Sequence, residues 1–146
     1  MQIFFLALLT FVMGMMISIY LPMNSSISRY SGSPYAANVA FYLVGLVASI
    51  VIFAVFGDLR AALKLKSIPP YLYLTGVMSN LVVLGTIFLI PRFGARKVFV
   101  LLLAGQAIMA IIVSHLGILE STKDPITLQK LVGAALLILG AFISMA

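Results

Sequence analysis

A chain of 146 residues that is 64% hydrophobic and 8% charged, with mean hydropathy +1.25, is no soluble domain, where about a quarter of residues are charged. Its length leaves room for one compact membrane bundle and no soluble domain beside it. The net charge of +6 is no nucleic-acid signature, since the nine Lys and Arg flank apolar stretches without aromatic interleaving, and the lack of cysteine excludes disulfide and thiol chemistry.

Crossing a hydrocarbon core of about 30 Å takes about 20 apolar residues in a helix. Five stretches qualify, at about 3–21, 35–56, 71–90, 98–119 and 128–145. The predicted fold is therefore all-α integral membrane, one transmembrane domain over 1–146 with five transmembrane helices. The first stretch has only Gln2 ahead of its apolar run and no small-residue cleavage motif after it, so it reads as a membrane helix and not a leader.

At the end of span one, Pro22 is expected to break the helical ladder and free carbonyls beside the run Asn24-Ser25-Ser26-Ile27-Ser28-Arg29. Span two holds Asn38, within a turn of Pro34 and so expected at the interface, and a Gly45/Ser49 pair whose i, i+4 spacing favours close helix approach. Pro69-Pro70 opens span three, which carries Ser79-Asn80 near its middle and ends in a turn at Pro91 and Gly94. Span four has Gln106 near its middle, a small pair at Ala110 and Ser114, and His115 in its last third, before Glu120. Asp124-Pro125 predicts a cap and an N1 proline for span five. Lys130 stands close enough to the end of that span to snorkel. Gly133 and Gly140, flanked by Ala134 and Ala141 but interrupted by Leu137, mark it as a packing or dimer helix.

Five spans place the gaps after spans two and four on one face, with Arg60, Lys64, Lys66, Lys123 and Lys130. The other two gaps carry Arg29, Arg92, Arg96 and Lys97. Orientation normally follows an excess of Lys and Arg on the cytoplasmic side, and five against four is almost no excess. The expectation is insertion in both orientations and an antiparallel, dual-topology dimer. Such a pair recreates the inverted repeat on which many secondary transporters are built.

No Asp, Glu, Lys or Arg lies in the interior of a span, which excludes the carboxylate-based proton exchange of many exporters. His115 is the sole titratable candidate, and it is expected at the headgroups. Weak pH dependence of transport follows. The uncharged amides Asn24, Asn80 and Gln106 lie on three spans. An amide in lipid must face partners inside the bundle, either as helix–helix glue or as the polar lining of a solute path. Nucleophile, metal cluster and catalytic acid pair are all missing from the pattern, so the reading is a non-enzyme with no cofactor and no metal.

Asn24 to Arg29, Gly32-Ser33-Pro34 and Gly45 in the first half resemble a small bacterial inner-membrane family, the YdcZ type of the drug/metabolite transporter superfamily. The second half is similar at Gly76, Val98 to Leu103 with Ala104-Gly105-Gln106, His115-Leu116-Gly117, Leu131-Val132-Gly133 and Leu139-Gly140. The resemblance covers nearly the whole chain. It implies a five-span protein, half the size of ten-span relatives, working as a homodimer or as a heterodimer with a paralogue, comparable with small multidrug resistance proteins. Many members carry glutamine four positions before the span-one asparagine; Tyr20 stands there in this chain, which implies a more aromatic, more apolar site.

The expectation is thus a transporter subunit of the bacterial inner membrane. It moves a small neutral or amphipathic solute by alternating access, with Tyr20, Asn24, Asn80 and Gln106 contacting the solute near the midplane of the dimer. Its partners are the lipid bilayer, a second copy and the solute, not nucleic acid. The alternatives are a passive pore formed by an antiparallel dimer and a non-transporting assembly subunit.

Overall fold

The computed structural model describes residues 2–119 and 121–145; Glu120, expected beside the end of span four, lies outside the described residues. Among the described residues the regular elements are all helical. They are α1 (Gln2–Ser31), α2 (Pro34–Phe56), the short α3 (Leu59–Leu63), α4 (Leu74–Phe93), α5 (Ala95–Leu116) and α6 (Leu128–Met145). Two 3-10 turns, Lys64–Ser67 and Pro70–Tyr73, link α3 to α4. Counting the second turn with α4, five helices are long and apolar enough to cross a membrane. The chain forms two compact units, Met1–Arg92 and Phe93–Ala146.

In the first unit α1 and α2 form an antiparallel hairpin. Its connection is short for a local reason. Gly32 takes φ +69°, a left-handed value that costs glycine nothing, and Ser33 caps α2 by accepting from the Ala36 amide at 3.3 Å. Pro34 then supplies the first helical residue, where its missing N–H is no loss. Leu21, Asn24 and Ser25, at i, i+3 and i+4, form the buried stripe of α1, and Ala37 and Asn38 are the buried residues of α2. The alanine allows close approach, which matters because lipid offers helices little hydrophobic drive and leaves packing to hold them.

The helix does not break at Pro22. It runs on to Ser31, ten residues past the expected end of span one. The proline removes a single ladder bond, the one that would have reached the Ser18 carbonyl. Serine hydroxyls on either side donate back to the backbone, Ser18 to the Gly14 carbonyl at 3.2 Å and Ser26 to the Pro22 carbonyl at 3.1 Å. The helix tolerates the loss.

The second unit is the α5–α6 hairpin. Gly117 ends α5 at φ +62°, and a side chain there would press on the Lys123 Cβ at 3.2 Å. The loop that follows is bonded to the last turn of α5: the Asp124 amide donates to the Ser114 carbonyl at 2.8 Å and the Ile126 amide to His115 Nδ1 at 3.2 Å. The helix starts at Leu128, the expected start of span five, but the expected cap at Asp124-Pro125 is not the one used. Thr127 is the cap, its carbonyl accepting from Leu131 and its Oγ1 from the Lys130 amide, because Asp124 is engaged with the Lys130 ammonium. Large apolar side chains stay exposed all along the helices, Ile3 (83%), Val44 (71%) and Ile143 (76%) among them. This is the surface a bilayer covers.

Candidate solute site

On α1, Tyr20 stacks on Phe41 of α2, with ring centroids 5.6 Å apart and planes 24° from parallel. The helices are antiparallel, so one turn toward the connection carries Tyr20 to Asn24 and Phe41 to Asn38. The two asparagines therefore share a level. Asn38 Nδ2 donates to Asn80 Oδ1 of α4 at 3.0 Å, which completes a row of three amides on three helices.

Aromatic layers bound the row on both sides. Toward the connection, Tyr35 meets Phe88 edge-on at 5.9 Å, and the Arg92 guanidinium lies 5.7 Å from the Phe88 centroid. On the other side, the Tyr42 hydroxyl is hydrogen-bonded to Ser79 Oγ at 2.8 Å, and Phe41 and Tyr42 pack at 5.1 Å with their planes 89° apart. No Asp, Glu, Lys, Arg or His belongs to the amide row.

The amides are not equally satisfied. Asn24 is 2% exposed and Asn38 7%. Asn24 Oδ1, Asn24 Nδ2 and Asn38 Oδ1 have no hydrogen-bond partner among the described residues. A buried polar group without a partner costs about 1–3 kcal/mol. Such groups are few in native proteins, so each calls for a reason.

Residues 5–143 match the family model described as "Putative inner membrane exporter, YdcZ". The chain belongs to the YdcZ family. No curated protein and no solved structure matches it. This YdcZ-family chain is a multi-pass transporter of the inner membrane, with five membrane-length apolar helices among the described residues.

Of the expected site residues in this YdcZ-family chain, Tyr20, Asn24 and Asn80 fall together in the first unit. Gln106 belongs to the second unit and is exposed on α5. Gly133 and Gly140 are exposed on α6, with open space where a Cβ would stand. Asn38, expected at the interface, is buried and, through its bond to Asn80, is the central amide of the row. The short Gly32-Ser33-Pro34 connection was the signal for it, since a tight hairpin brings residues flanking the turn to one level.

A shallow cavity of about 210 Å³ lies elsewhere, lined by Ala110, Ile111, Ser114, Asp124 and Lys130. The Lys130 ammonium pairs there with Asp124 and donates to the Pro125 carbonyl at 2.6 Å. This cavity is the mouth of the α5–α6 loop and shares no residue with the amide row. The row differs from it in chemistry, setting neutral donors and acceptors between aromatic rings.

Proposed function

We propose that this YdcZ-family chain is a transporter subunit that carries a small neutral or amphipathic solute by alternating access, paired with an antiparallel second copy. The observation that carries the reading is Asn24, a buried amide with both polar atoms unpartnered, set beside the Asn38–Asn80 pair and the Tyr20–Phe41 stack. Asn24, Asn38, Asn80 and Tyr20 contact the solute. Glue residues are satisfied by each other, as Asn38 and Asn80 are in part. Asn24 is not, which favours a partner from outside the chain.

Dimerisation supplies what one copy lacks. Few side chains are buried in a single chain, Asn24 and Thr86 being the largest fully buried ones, so a second copy is needed to enclose a path. The near-even distribution of basic residues supports the antiparallel arrangement, which presents the same site to each side in turn. The test is solute counterflow in proteoliposomes. Saturable uptake accelerated by solute on the opposite side is expected. Flux linear in concentration and blind to solute on the far side belongs to a pore and contradicts the reading.

A further inference from the structure

Asn24 presents a flat edge with N–H donors on one side and a carbonyl acceptor on the other. Neither atom has a partner among the described residues, and neither does one carbonyl oxygen, Asn38 Oδ1. Turning the Asn24 amide over exchanges donor and acceptor and leaves the paired edge intact. A cationic solute would satisfy the carbonyls but strand the Asn24 N–H groups, with no carboxylate in the row to balance its charge. An anionic solute would satisfy the N–H groups and set its charge against two carbonyl oxygens. Only a neutral group with its own donor and acceptor side by side uses the whole edge, as an asparagine does when it pairs with an adenine edge.

One turn away on the same helix, Tyr20 is 38% exposed and already stacked on Phe41, so a flat ring can join the stack. We infer that the solute carries a carboxamide-type edge, as in a primary amide, lactam or nucleobase, attached to a flat ring, with the edge on Asn24 and the ring at Tyr20. This rests on the carrier reading above and names its substrate class. The Asn24 polar atoms are enclosed in this conformation. Binding therefore requires α1 to move around Asn24, and Pro22, where the ladder lacks a bond, lies two residues before it.

Benzamide, benzoate and benzamidinium share one shape and differ in charge, so they isolate the edge from the ring. Equilibrium dialysis against the wild-type protein in lipid nanodiscs should show saturable benzamide binding, about tenfold to a hundredfold tighter than either ion. N,N-dimethylbenzamide, which has no donor, should lose about tenfold or more. Asn24→Asp keeps the size and leaves only acceptors, so its preference should pass to benzamidinium. No saturable benzamide binding, equal binding of the ions, or a folded Asn24→Asp with an unchanged order overturns the inference. Should Asn24→Asp not fold, the four ligands on the wild type still decide it. Counterflow of the same compounds separates the two claims. Transport of an ion without benzamide binding sinks the amide edge and keeps the carrier. Benzamide binding without counterflow supports the edge and sinks the carrier.

Discussion

Truncating Asn80 to alanine removes the acceptor of the 3.0 Å bond that Asn38 Nδ2 makes from α2 to α4. The expected cost is about 1–3 kcal/mol, read as a lower midpoint of thermal unfolding in detergent. An unchanged midpoint would mean that the pair is not formed in the membrane-embedded protein. Asn24 and Asn80 stand out in the sequence because an amide in an apolar run is anomalous by composition alone, whereas Tyr20 is named only through the family resemblance. Asn38 was not legible as buried. Its depth depends on where α2 begins and on how far α1 extends past Pro22, and neither the Ser33 cap nor the tolerance of Pro22 is written in the hydropathy. Whether an amide is satisfied is equally invisible in one dimension, since it depends on which helix supplies the partner.

The five membrane-length helices are the most legible level of the structure, because a single requirement, apolar length, selects them. Their ends are less so. Span five starts at Leu128 as expected, but its cap is Thr127 and not Asp124, which Lys130 engages through a contact between side chains six positions apart. Pro22 gives a prediction at this scale. Pro22→Ala restores the bond to the Ser18 carbonyl and should stabilise α1 while slowing counterflow, if the segment carrying Asn24 must swing. Unchanged flux in a more stable protein would dismiss that hinge. On α6, the exposed Gly133 and Gly140 leave the backbone open to a neighbouring helix. Gly140→Leu should separate the subunits in detergent, seen as a halved particle mass by light scattering, with helicity retained. A dimer that survives the change places the contact on another helix.

For the whole molecule, the proposed antiparallel pairing links orientation to transport. Reporters at the C-terminus should be active on both sides of the membrane, and two lysines added beside Lys64 should shift the population to one side. A single orientation in the wild type would replace the antiparallel homodimer with a heterodimer or a parallel pair. The central claim is that Asn24 serves the solute and not the fold, and Asn24→Leu tests it most directly. Leucine keeps the branching and heavy-atom count, with bulkier methyl groups, and removes two unpartnered buried polar atoms, so stability should hold. Counterflow and thermal midpoint are therefore measured side by side on this variant. Lost counterflow with an equal or higher midpoint is the result expected; a midpoint that falls together with the flux would make Asn24 a structural residue and contradict the account.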